Sequence, residues 1–166
     1  MKRNLLFFVF SVIILPVAFS QNSANWTHFR GTNMDGHAAV KTAPLHWSDS
    51  TNVVWKAPVK GLGWSSPVVF GKQIWVTSAK EDGTEFYTLC FDLETGKLLD
   101  EKTIFTCPDP QGIHGTNSYA TPTPCIEAGF VYVHYGTFGT ACINTNSFDV
   151  VWKREDLKAA HMQGPA

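Results

Sequence analysis

The residues of this chain best suited to chemistry stand together in one short stretch, His114-Gly115-Thr116-Asn117-Ser118-Tyr119. It combines an imidazole that titrates near neutral pH, an amide, two hydroxyls and a phenol, a set that can bind a polar ligand or move a proton. A second stretch, His161-Met162-Gln163-Gly164, lies 47 residues on, so a polar pair of this type recurs. The alternative is structural: His114 and Asn117 cap turns and hydrogen-bond their own backbone. Both readings are open from the residues alone. No catalytic residue is assigned. Ser65-Ser66 lacks the G-x-S-x-G frame of a nucleophile elbow.

Metal and redox chemistry have little to draw on. His28, His37, His46 and His134 are scattered without ligand spacing. The cysteines, Cys90, Cys107, Cys125 and Cys142, are 17 or 18 residues apart and form no C-x-x-C pair. An even count in an exported chain permits disulfides. Cys90 and Cys142, however, hold equivalent places in apolar strands, where cysteine also serves as a small buried hydrophobe. The expectation is no metal site, with the disulfide question open.

The elements that must position these residues follow from a repeat. Ser66-Pro67-Val68-Val69, Ile74-Trp75-Val76, Leu89-Cys90-Phe91-Asp92 and Gly96-Lys97-Leu98-Leu99 are answered by Thr123-Pro124-Cys125-Ile126, Val131-Tyr132-Val133, Ala141-Cys142-Ile143-Asn144 and Asp149-Val150-Val151-Trp152. The offset is 57 residues through the first two strands and 52 after the second hairpin. Four short strands per unit at such a period is the pattern of a β-propeller blade. Gly71, Gly83 and Gly96 fall where hairpin turns need positive φ. The run 85–92 is apolar on both alternating sets, as expected of a strand sandwiched between neighbours.

The predicted architecture is all-β, with four-stranded antiparallel blades in an incomplete ring of about two blades plus a lone closing strand. Residues 1–20 read as a secretory signal peptide, with Lys2 and Arg3 before an apolar run and Ala18-Phe19-Ser20 at the cleavage site. Residues 21–52 form an extended arm pinned by Trp26, Phe29 and Trp47. Asn25-Trp26-Thr27 within it is a glycosylation sequon that bears only on a eukaryotic host. Residues 53–58 repeat Val-Val-Trp-Lys of 150–153 and so read as the closing strand of a split blade. The first full blade spans 59–104, the second 105–154, and 155–166 begins the next, with at most a helical turn near 155–160. Trp64, Trp75 and Tyr132 are expected between blades. A ring needs about four to eight blades, so the chain is expected to be a truncated part of a longer protein.

Composition narrows the partners. Thirteen Lys and Arg against 14 Asp and Glu give a net charge of −1, which becomes −3 when Lys2 and Arg3 leave with the signal peptide. Nothing in that balance suggests nucleic acid, and no membrane span is expected after cleavage. With 44% apolar and 16% charged residues the remainder should be globular.

The string Trp64-Ser65-Ser66-Pro67-Val68-Val69, with Leu89-Cys90-Phe91-Asp92-Leu93-Glu94-Thr95-Gly96-Lys97, resembles the repeat of pyrroloquinoline-quinone (PQQ)-binding-like β-propellers. Val54-Trp55 and Val151-Trp152 match its aliphatic-plus-Trp strand. Trp26-Thr27-His28-Phe29-Arg30-Gly31 and Asp35-Gly36 resemble the arm of exported bacterial members. The resemblance covers about 25–166 and implies a ring of eight blades. It departs at Asp100, where the repeat has Trp, and at Asn144–Phe148, which replaces the Asp-x-x-Thr-Gly-Lys turn. Asp100 suggests a weakened or solvent-reaching seam.

Two functions follow from the resemblance. Quinoprotein alcohol or sugar dehydrogenases of the family hold PQQ on the axis against a Trp and a disulfide of adjacent cysteines. Their Ca²⁺ is bound by carboxylate and amide oxygens, and an Asp acts as base. This chain has no adjacent cysteine pair, no assignable ligand trio and no C-x-x-C-H haem motif. The family also includes non-catalytic envelope scaffolds, and that is the expected function here. The protein would be periplasmic or secreted, and its partner would be an envelope protein or a small ligand. PQQ with calcium is the alternative, and no cofactor is otherwise expected. Under either reading the candidate site is the funnel-rim loop, with His114, Thr116, Asn117, Tyr119, His161 and Gln163.

Overall fold

In the computed structural model, which describes residues 25–38, 40 and 42–158, the chain is all-β. Residues 1–20, expected to be a signal peptide, and the pair His161 and Gln163 fall outside the described residues. Two four-stranded antiparallel meanders follow each other, β1 (Val68–Phe70), β2 (Gln73–Ala79), β3 (Glu85–Asp92) and β4 (Leu98–Thr106), then β5 (Cys125–Glu127), β6 (Phe130–His134), β7 (Thr140–Asn144) and β8 (Val150–Arg154). Each sheet is ordered as its strands occur in sequence, the arrangement of a propeller blade. A single 3-10 turn, Gly136–Phe138, is the only helical element described. The segment 155–158 carries no helix. No helix among the described residues is long and apolar enough to cross a membrane.

The blades pack face to face because β3 is apolar on both sides. Phe86 and Cys90 turn toward the second blade and join Trp75, Val68, Ile126, Val131, Val133 and Ile143 in the main core. Tyr87, Leu89 and Phe91 turn the other way into a smaller cluster with Ile74, Val76 and Ala57. Polar groups cross the seam in pairs, since a buried polar atom needs a partner. The Tyr135 hydroxyl donates to the Tyr87 carbonyl at 2.7 Å and lies 2.9 Å from the Thr88 hydroxyl. Gln73 donates to the Thr145 carbonyl at 2.8 Å and accepts from the Trp75 indole at 3.1 Å. Lys153 donates to the Ile104 carbonyl.

Three expectations change. Residues 53–58 form no strand, because a closing strand needs the rest of its sheet to pair with, and no described strand bonds to this segment. The segment lies instead against the first blade through Trp55 and Ala57. The seam beside Asp100 is not left empty: Phe148 packs into the core from the second blade, its ring 5.9 Å from that of Trp75, while the Asp100 side chain stays 16% exposed. Asp100 pairs with Lys102 at 3.1 Å instead. Of the arm's three aromatics only Trp26 is an anchor; Phe29 and Trp47 are 62% and 72% exposed.

That anchor is a backbone one. Trp26 exchanges both hydrogen bonds with Val69, at 2.8 and 2.7 Å, and Thr27 accepts from Ile126 at 3.0 Å. Val69 and Ile126 are equivalent repeat positions on the inner edges of β1 and β5. The arm therefore runs along the axial edge of both blades.

Candidate functional site

The loop 107–124 joins the outermost strand of the first blade to the innermost strand of the second. In a meander that places it at the end carrying the β2–β3 and β6–β7 turns. Tyr119 fixes it there. Its ring packs edge-on against Phe86 and Phe138, 6.4 and 5.9 Å between centroids. It also covers Gly83, where a Cβ would come within 2.5–2.7 Å of the ring and φ is +74. The hydroxyl donates to the Gln111 carbonyl at 2.9 Å, closing the loop on itself. Burial raises this phenol's pKa, with Asp82 and Cys107 adding to the shift. Tyr119 is thus a buried anchor, not a rim residue.

The far end of the loop is tied to the strand entry of the first blade. The Ala120 carbonyl accepts from Trp64 at 3.1 Å and from Ser65 at 3.2 Å. Asn117 donates its amide N–H to the His114 carbonyl at 2.8 Å, and its side-chain oxygen accepts from Ser118 N–H at 2.9 Å and from the Thr121 hydroxyl. His114 is exposed, with Nδ1 2.8 Å from the Thr116 hydroxyl and accepting Thr116 N–H at 3.3 Å. An Nδ1 that accepts a backbone N–H leaves the neutral ring's proton on Nε2. The loop is therefore internally bonded at Asn117 and Tyr119 and turns His114 and Thr116 outward. The turn-forming reading of His114 and Asn117 and the presentation of His114 hold together in one geometry.

The other singled-out residues divide. Trp75 is fully buried between the blades. Trp64 is 64% exposed, and Tyr132 stands half-buried on the side of the second blade away from the first, its hydroxyl 2.6 Å from Glu127. That bond, first, and burial push Tyr132 up to about 12. All four cysteines are free thiols. Burial, with Asp100 and Asp92 nearby, pushes Cys90 up to about 12, which makes it an inert core thiol. In the sequon, Asn25 accepts from Gly71 N–H at 3.0 Å and Thr27 is buried.

Two concavities were not signalled by motif. One, of about 260 Å³, lies where the outer strands end and is lined by Thr106, Cys107, Asp109, Thr137, Glu155 and Lys158 among others. The other, of about 450 Å³, includes Lys60, Lys80, Glu85 and Tyr87 on the first blade's open side. There Lys60 sits 4.0 Å from the Tyr87 ring centre and 3.0 Å from Glu101. Their residues come from segments far apart in sequence, so only a pairing of strand ends could have announced them.

Among the described residues no group of three His, Cys, Asp or Glu side chains comes together to hold a metal. No protein-family model matches the chain, and no curated protein matches it significantly.

Proposed function

We propose that this chain is part of an exported PQQ-like β-propeller that acts as a non-catalytic binding scaffold in the cell envelope, periplasmic or secreted. The observation that carries this reading is the construction of the loop 107–124. It is anchored by Tyr119 in the core and by Ala120 on the neighbouring strand entry, and it holds His114 and Thr116 outward. A rigid scaffold that presents polar side chains on a loop is the usual design of a binding surface. The imidazole Nε2–H and the threonine hydroxyl suit acceptor groups on a protein partner.

Calorimetric titration of PQQ with Ca²⁺ into the signal-free protein tests the reading against a quinoprotein dehydrogenase. No binding heat is expected from folded protein. Micromolar or tighter binding would replace the scaffold by an oxidoreductase. The loop is tested separately by retaining envelope proteins on immobilised chain. A partner held by the native chain and released by His114→Ala/Thr116→Ala supports the loop, and equal retention by both removes it.

A further inference from the structure

His114 is exposed on a loop whose neighbouring residues are fixed, so the protonation state of its ring has a structural consequence. Its Nδ1 accepts the Thr116 N–H at 3.3 Å and lies 2.8 Å from the Thr116 hydroxyl. A ring nitrogen that accepts a backbone N–H carries no proton, so this geometry belongs to the neutral imidazole. Beyond it, Asn117 is bonded to the His114 carbonyl, to Ser118 N–H and to the Thr121 hydroxyl. Tyr119 closes on the Gln111 carbonyl. Of these contacts, the imidazole one alone changes character between about pH 5 and pH 8.

Protonation puts a hydrogen on Nδ1 and turns it from acceptor to donor. Nδ1–H then donates to the Thr116 oxygen, the hydroxyl hydrogen turns outward, and the Thr116 N–H loses its acceptor. The loop gains outward donors beside Nε2–H, together with a positive charge. That charge has no counter-ion here: among the described residues no carboxylate pairs with the His114 ring. Lys80 and Asp82, on the β2–β3 turn under Tyr119, pair with each other at 2.9 Å. Glu81 and Glu85 line the cavity on the first blade's open side. Lys60, ahead of the strand entry, pairs with Glu101 at 3.0 Å. Cys107, Asp109, Glu155 and Lys158 line the cavity at the ends of the outer strands, which does not include His114.

We propose that this loop is a pH-gated hook for an acidic segment of a protein partner, gripping a carboxylate in acid and releasing it as pH rises. The proposal rests on the binding reading of the same loop and adds the chemistry of what is bound. A carboxylate brings the missing negative charge and acceptor oxygens for the outward donors. Hydrogen bonds between ionised partners are roughly twice as strong as neutral ones. The neutral ring offers Nε2–H without the charge and holds the same ligand more weakly. Binding is therefore strongest where the imidazole is protonated and falls as pH rises through its titration.

Nitrogen–proton correlation spectra of the full chain, titrated with N-acetyl-triglutamate at about pH 5.5 and about pH 8, test this. The peptide is ionised at both values, so a difference between them belongs to the protein. The peptide should move the Thr116 amide and the His114 ring resonances, with an affinity roughly fivefold or more higher at the lower pH. Without peptide, the Thr116 amide should shift in step with the ring as pH falls. His114→Gln, an exposed substitution, should lose the difference in affinity while its β3 amides mark an intact fold. Equal affinity at the two values, no binding at either, or a difference that survives His114→Gln overturns the proposal. So does a Thr116 amide that ignores the titration of the ring. These signals come from the loop itself, whereas failure of the scaffold reading appears as PQQ binding in calorimetry, so the two failures are distinct.

Discussion

Phe148 adopts φ 62, a left-handed backbone in which a bulky residue is strained. It is kept there because its ring completes the core beside Trp75. Tyr135 shows the same dependence on context. It is fully buried, and burial raises its pKa against the bond from Thr88. Tyr135→Phe should destabilise by about 1–3 kcal/mol in urea unfolding, because the Tyr87 carbonyl and the Thr88 hydroxyl lose their shared partner. At the surface, Asp82 accepts from the Thr84 hydroxyl and N–H and pairs with Lys80, and these bonds lower its pKa from 3.8 to about 2. A depressed carboxylate contributes fully above its unfolded value and loses that contribution as pH falls through the folded one. Exchange at the Thr84 amide should therefore rise between about pH 4 and pH 2 beyond the intrinsic pH dependence of exchange. Asp82→Asn should show no such step.

At the scale of elements, the seam between the blades is a compensated pair of departures from the repeat. Asp100→Trp alone drives an indole toward Phe148, and Phe148→Gly alone empties the space beside Trp75. Each should destabilise the fold. Together they restore the tryptophan-on-glycine contact seen between Trp55 and Gly96, so a double-mutant cycle should give favourable coupling of about 0.5–3 kcal/mol. The strand at 85–92 was legible residue for residue, since its apolar run lies between turn glycines at 83 and 96. Residues 53–58 carry no ladder bonds to a described strand. Their composition is that of a strand, but a ladder needs a neighbour's backbone, which local sequence does not encode.

Across the whole molecule, the arm joins the inner edges of both blades. Trp26→Pro removes the N–H that bonds Val69 and disturbs the approach to Ile126. Hydrogen exchange should speed at Val69 and Ile126, while amides inside β3, paired on both sides, keep their protection. If β3 exchanged equally fast, the arm would be a determinant of the fold and not a strap on its inner edge.

The sequence by itself determined the repeat, the class of fold and the place of the candidate loop. Periodicity and turn residues are local, and two copies of a pattern reinforce each other. His114, Thr116 and Asn117 could be singled out because their types are unusual beside apolar strands. Only the tertiary structure decided that Tyr119 turns inward, that Asp100 is answered by Phe148, and that Trp26 bonds Val69 while Phe29 and Trp47 lie open. Each of these depends on which surface another segment brings across the gap. Contacts between residues 40 or more apart are set by how the blades pack, and no local pattern carries that information.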